Sequence, residues 1–174
     1  RAMPIPRVAE VLGNLIGESV SIRNLRGILE ALADASQREK DIATLTEYAR
    51  VGLRRETSYR LAPQGRLPAL LLAPALEEKL RQSLHNNNGV TQLAMEPALG
   101  QQIVSAFVSA IARQPRDTPP VVVAAIDIRA HLRKLIANEC FETPVISDHE
   151  LVQSVQLDVL ERVAIPGAPT LEAA

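Results

Sequence analysis

The chain has 174 residues, enough for one medium domain or two small ones. A formal net charge of −1 excludes a global field that recruits nucleic acid or anionic lipid, and 2% aromatics without Trp exclude a base-stacking platform. With 47% hydrophobic residues and so few rings, the core has to be aliphatic. Residues 1–60 hold ten Lys/Arg and eight Asp/Glu, a net +2, and residues 61–174 hold nine and twelve, a net −3. Cys140 is the only cysteine, which rules out an internal disulfide and fits a reducing compartment. The longest apolar runs, Leu67–Leu76 and Ile103–Ala112, fall short of the roughly 18–20 residues of a membrane helix. No secretory signal is visible, and the expectation is a soluble chain. Its first residue is Arg1 rather than Met, which predicts a piece of something larger.

Residues 6–18 predict a first helix, with Pro6 in its first turn and Val8, Leu12, Leu15 and Ile16 on one side. Ser21 is the predicted cap of a second helix. Ile22, Leu25, Ile28, Leu29 and Leu32 then follow at intervals of three and four and define its inner arc. Arg23, Arg26, Glu30 and Asp34 lie opposite, and Gly27 shares their side. A mid-helix glycine costs roughly 1 kcal/mol against alanine, which on a solvated face is offset only if another backbone comes close. After a polar turn at Ser36–Lys40, Asp41 caps a third helix over 42–57. Ile42, Leu45, Ala49 and Leu53 form its inner side. Glu47, Arg50, Arg54 and Arg55 are predicted to face outward, with the apolar Val51 among them.

The rhythm changes after the Pro63, Gly65 and Arg66 segment. Ala69–Ala73 reads as a buried strand. Pro74 starts a helix to about Leu84, and His85–Gly89 is read as a turn. A weak strand is predicted at Val90–Met95. Glu96-Pro97 opens a long helix to about Arg113, with Leu99, Ile103, Phe107 and Ile111 inward. Val121–Ile126 is the clearest strand, and Asp127 is the expected cap of a helix to about Ala137. Pro144–Ile146 is a short strand, Ser147 or Asp148 caps one more helical turn, and residues 155–165 supply a last strand. Strands alternating with helices predict a small, largely parallel sheet.

Chemistry-bearing patterns are sparse. Asp127 and His131 are four apart on one helix face, and Asp148-His149-Glu150 follows a strand, where sites gather in open parallel sheets. Helix capping explains both aspartates without any function. Cys140-Phe141 has no base placed beside it by sequence. No Gly-rich phosphate loop, nucleophile elbow or zinc spacing occurs, so no enzyme, cofactor or metal is expected. Two binding classes remain open. A basic third helix with Arg50, Arg54 and Arg55 suits phosphate contacts in a helix-turn-helix, interrupted by Glu47 and Glu56. A surface of mixed charge with Gly27 and Val51 suits a protein–protein contact, where charge gives register and selectivity more than affinity.

Several stretches together resemble one family. "VSIRNLRGILEALAD", "REKDIATLTEYARVGLRR", "LPALLLAPALEEKLRQSL", "VVVAAIDIRAHLRKLI" and "TPVISDHEL" occur in that order. They resemble the export-gate proteins of bacterial type III secretion, the flagella/hypersensitive-response/invasion proteins export pore family. The match runs over about residues 5–165 and is most specific at Ser21 to Arg26, Ile28 to Leu32, Glu39 to Asp41, Leu45 with Glu47-Tyr48, and Arg50 with Leu53-Arg54. Gly27 and Gly52 stand where the family pattern has Thr or Ala, and Ala49 replaces a bulkier aliphatic. These departures are expected to soften the helix packing.

The resemblance implies an α+β or α/β fold made of the last two of four cytoplasmic subdomains. Residues 5–60 would be a helical, winged-helix-like subdomain, 61–67 a linker, 68–165 an α/β subdomain with a short parallel sheet, and 166–174 a flexible tail. It implies an inner-membrane protein whose membrane-spanning half precedes this cytoplasmic fragment. It further implies a nonameric ring of copies, virulence-type protein secretion, and docking of chaperone–substrate complexes, a gatekeeper protein and an ATPase stalk, without nucleic acid. The ring interface is then expected at Arg23, Arg26, Gly27, Glu30, Asp34, Glu47, Arg50, Val51 and Arg54. A winged-helix-type nucleic-acid-binding domain is the alternative.

Overall fold

In the computed structural model, which describes residues 2–167, the chain divides into two compact units. The first takes the residues up to Pro63 together with His149–Ser154. The second takes Gln64–Asp148 and the chain from Val155 onward. A plan of 5–60 followed by 68–165 has no place for residues 149–154 in the first unit. The expected tail lies outside the described residues from residue 168 on.

The first unit contains four helices rather than three: α1 (Ile5–Gly17), α2 (Leu25–Ala35), α3 (Ile42–Gly52) and α4 (Arg54–Leu61). Pro6 sits in the first turn of α1 as its fixed φ favours. Gly17 lies inside the last turn, and the residue that ends the helix is Ser19, at φ +59°. The Ser19 amide bonds the Ile16 carbonyl and the Val20 amide the Leu15 carbonyl, each at 2.9 Å, the paired bonds of a Schellman ending.

The cap of α2 is Asn24, not Ser21. Its side chain accepts from the Gly27 amide at 3.0 Å, and its Nδ2 donates to Glu56 Oε1 at 2.6 Å. Asp41 caps α3 as expected, accepting from the Thr44 amide at 2.9 Å. The single helix expected over 42–57 is broken at Leu53, which closes α3 and opens α4. Beyond Leu53 the outward and inward positions are therefore no longer those of α3. Val11 and Leu15 of α1, Ile28, Leu32 and Ala35 of α2, and Leu45, Ala49 and Leu53 bury together as one aliphatic core.

Gly27 and Gly52 tighten this packing instead of softening it. A Cβ on Gly52 would lie 2.7 Å from the Ala31 Cβ and 3.5 Å from the Gly27 carbonyl oxygen, so α3 comes close to α2 there. A Cβ on Gly27 would lie 2.5 Å from the Asn24 side chain, which needs that space to cap α2. The close approach that offsets the cost of a mid-helix glycine is thus present.

The second unit is built on β1 (Arg66–Leu72), β4 (Val121–Ala124), β5 (Val145–Ser147) and β6 (Gln156–Val163), between which lie α5 (Pro74–Gln82), the pair β2 (Leu84–Asn87) and β3 (Val90–Leu93), α6 (Pro97–Ala112) and α7 (Arg129–Ile136). The four strands form one sheet in the order β5-β4-β1-β6, parallel throughout. Pro68 is tolerated in an interior strand because pairing with β4 starts only at Ala69. The segment His85–Gly89 is not all turn. It is one arm of the antiparallel β2–β3 pair, and Asn88-Gly89, at φ +52° and +84°, make the bend. Leu70, Leu80, Ile103, Phe107, Val122, Leu132 and Ile136 anchor the core, with Cys140 buried among them.

Candidate assembly surface

The charged signature sits on the first unit, and α2 supplies most of it. Arg23, Arg26, Glu30 and Asp34 are exposed, as is Arg54 in the first turn of α4. The charges pair four residues apart: Arg26 Nε with Glu30 Oε1 at 2.8 Å within α2, and Asp34 Oδ2 with Arg38 Nη2, just beyond the helix end, at 3.1 Å. Glu30 beside it raises the already high affinity of Arg26 for its proton. Such exposed i,i+4 pairs are weak, being screened by solvent, and leave the charges accessible to another molecule. Among the described residues, Arg23 and Arg54 form no ion pair.

Four of the expected positions are not open surface. Gly27 is half-buried beside Asn24, and Val51 is half-buried as well. Glu47 and Arg50 are buried, at 8% and 4% exposure, so their outward placement is corrected. The reason is that α3 is covered on more than its aliphatic side: Thr46, Glu47 and Arg50 are buried along with Leu45 and Ala49. Arg50 Nε donates to Glu150 Oε1 at 2.9 Å, and Arg50 Nη1 lies 3.7 Å from Glu18 Oε1. The returning segment is held a second time by the Val152 amide, which donates to Ser58 Oγ at 2.9 Å.

Two exposed leucines complete the surface. Leu25 and Leu29 are 43% and 42% exposed, although they belong to the expected inner arc of α2. At 3.6 residues per turn they stand about 60° and 100° round from Ile28, next to the edge where Arg26 and Glu30 begin. The apolar arc of α2 is therefore wider than its own unit covers. That width is legible in the sequence as five apolar positions over eleven residues, more than one contact needs.

The other candidate constellations resolve into structure. Asp127 does not cap α7, whose first cap position is Ile128. Instead Arg81 Nε and Nη2 donate to its two carboxylate oxygens at 2.6 and 3.1 Å, and this holds the Asp127 carboxyl below the usual carboxylate range. Of Asp148-His149-Glu150, the glutamate is the buried partner of Arg50. Burial pushes the Cys140 thiol up, away from the reactive thiolate. No group of His, Cys, Asp and Glu among the described residues is arranged to hold a metal ion. The basic patch needed for phosphate contacts loses Arg50 to the interior.

Two further arginines have roles that the sequence pattern did not assign. Arg129 is fully buried and donates to the Val145 carbonyl at 2.9 Å. It shares the stripe of Leu132 and Ile136 at helical spacing, which is the signal that it points inward. Arg133 donates to the carbonyls of Cys140, Phe141 and Thr143 at 3.0–3.2 Å and pins the loop after α7.

Comparison with known proteins gives this architecture a context. The low calcium response locus protein D of Yersinia pestis is 37% identical over 167 residues, 95% of this chain and 24% of its own length. The protein hrpC2 of Xanthomonas euvesicatoria is 36% identical over 95% of this chain and 26% of its own. The chain thus spans about a quarter of the length of these relatives. Among solved structures, the Chlamydia pneumoniae CdsV protein superposes with a TM-score of 0.87 at 33% identity, over 94% of this chain and 48% of that one. The nonameric EscV cytosolic domain from the type III secretion system superposes with a TM-score of 0.76 at 33% identity, over 90% and 46%. The profile of the FHIPEP family matches residues 1–156, and the chain belongs to that family.

Proposed function

We propose that this chain is part of the cytoplasmic domain of a type III secretion export gate, and that it assembles with copies of itself into a ring. It acts by binding and positioning other proteins, without catalysis. The observation that carries the reading is the outer face of α2, where Leu25 and Leu29 lie exposed beside Arg26 and Glu30. Apolar area next to paired charges of both signs suits a contact that excludes water at its centre and keeps register at its rim. A patch that meets an unlike patch on the next copy makes a head-to-tail contact, and such contacts form a ring when the rotation between copies closes. Relatives of the same fold, the EscV cytosolic domain and the EPEC SctV-C domain, are nonameric.

The finer reading follows the family. The full-length protein sits in the bacterial inner membrane, with this fragment on the cytoplasmic side, and the ring receives chaperone–substrate complexes, a gatekeeper and the ATPase stalk. No helix among the described residues is long and apolar enough to cross a membrane. A complex of CdsV with CdsO supports partner docking on this fold. Secretion by a strain whose full-length protein carries Leu25→Glu and Leu29→Glu tests the surface. Loss of secretion at unchanged protein level is expected, and normal secretion with an intact ring overturns the assignment.

A further inference from the structure

The chain has six asparagines, and only Asn88 is followed by glycine. That dipeptide is the bend between β2 and β3, with both residues exposed and φ at +52° and +84°. The carboxamide of an asparagine can be attacked by the backbone nitrogen of the next residue. A side chain on that residue hinders the attack. Gly89 has none, and nothing lies within 4 Å of where its Cβ would stand. Both reacting groups are therefore open to water and base.

Two features hold the reaction back. Ring closure brings Cβ of Asn88 and the Gly89 nitrogen to the same side of the Cα–C bond, whereas the left-handed conformation of Asn88 sets them on opposite sides. The Gly89 amide must also lose its proton to react, and that N–H donates to Asn86 Oδ1 at 3.0 Å. Both brakes last only while the bend is closed. Among the described residues β2 and β3 pair with each other alone, and such a two-stranded pair is marginal in water. Leu84 and Leu93 at its base pack against the core, but every residue from His85 to Gln92 is exposed. Local opening of so little buried surface costs little free energy.

We propose that Asn88 is a site of spontaneous deamidation, gated by opening of the β2–β3 pair. The Gly89 nitrogen gives its proton to base and adds to Asn88 Cγ. The Cγ–Nδ2 bond breaks, and the carboxamide nitrogen takes up a proton and leaves as ammonia. Water then opens the cyclic imide. Opening at Cγ yields aspartate; opening at the main-chain carbonyl leaves the chain running through Cγ, one carbon longer. In sum water replaces ammonia, with no oxidant or cofactor. Loop length fixes the register of a hairpin, so the longer bend no longer fits and the pair stays open. The new carboxylate also enters a stretch, residues 84–95, that has no Asp, Glu, Lys or Arg. The site lies wholly in the second unit and does not depend on assembly of copies.

The test is peptide mapping of the chain aged in mildly alkaline buffer. Asn88 should convert at least tenfold faster than Asn138, which is exposed too but precedes Glu139, and should yield both products. Asn86→Ala should speed the conversion about fivefold, the weight of one net hydrogen bond on the opening equilibrium. The chain unfolded in urea should convert faster than the folded one. Hydrogen exchange reads the consequence: the isomerised chain should lose protection of the β2 and β3 amides, while Asn88→Asp, which brings the charge without the extra carbon, should keep it. Conversion of Asn88 no faster than that of Asn138 would overturn the site. Equal rates in the folded and unfolded chain, or a rate unmoved by Asn86→Ala, would overturn the gating, and full protection after isomerisation would overturn the opening.

Discussion

Arg50 and Glu150 lie a hundred positions apart in the chain and meet inside the first unit, Nε to Oε1, at 2.9 Å. Their side chains are 5% and 2% exposed. The pair carries residues 149–154 back to the helices that precede the sheet. Removing Glu150 leaves the buried Arg50 charge with the more distant Glu18, at 3.7 Å, at a cost of about 1–3 kcal/mol. Glu150→Ala should therefore lower the unfolding free energy by that amount in urea titration. Arg50→Met with Glu150→Leu should recover most of the loss. A single-variant loss below about 1 kcal/mol would show that the segment is held by other means.

Gly52 faces Ala31 where α3 comes near α2. Its missing Cβ is the space between them, since an added one would lie 2.7 Å from the Ala31 Cβ. Gly52→Ala should destabilise by about 1–3 kcal/mol through overpacking. Ala31→Gly added to it should return part of that loss, because it removes the clashing atom. A strictly additive double variant in thermal denaturation would deny the contact.

Ser19 occupies the left-handed position at the end of α1 with φ +59°. A residue with a Cβ costs roughly 1–2 kcal/mol there. Ser19→Gly should raise stability by about 1 kcal/mol, less whatever the glycine adds to the entropy of the unfolded chain. A fall in melting temperature would speak against the Schellman ending.

Asp127 beside Arg81 titrates below the usual carboxylate range. A carboxyl whose value is lowered on folding stabilises above its unfolded value, and loses that stabilisation as pH falls through its folded one. The pair is half-exposed, so its contribution is about 0.5–1 kcal/mol. Asp127→Asn should cost that much at pH 7, and the difference should shrink as pH falls below the ordinary carboxyl value and through the lowered folded one. A deficit that does not change with pH would assign the loss to packing.

Much of this was legible in the residues. Aliphatic spacing located α1, α2, the start of α3, α6 and β4, and Asp41 announced its own cap. The β2–β3 pair was signalled by Asn88-Gly89 between two short runs, but the polar residues around it hid the arms. Two features escaped for physical reasons. The break at Leu53 follows directly on Gly52, a glycine that the aliphatic spacing passes over, and it shifted Arg54 and Arg55 onto another helix. The burial of Glu47 and Arg50 depends on Glu150, a partner a hundred residues away that no periodicity within α3 can reveal. The charged face of α2 was correctly placed at Arg23, Arg26, Glu30 and Asp34, while the exposure of Leu25 and Leu29 became visible only once the reach of the core was known.

In the proposed ring, copies meet through the outer faces of α2 and α4. Electron microscopy of the full-length protein purified with Arg26→Glu and Arg54→Glu, next to a secretion assay on the same strain, tests this most directly. Loss of the ring together with loss of secretion, at unchanged helicity, is the predicted result. Complete rings and normal export from the double variant would contradict it.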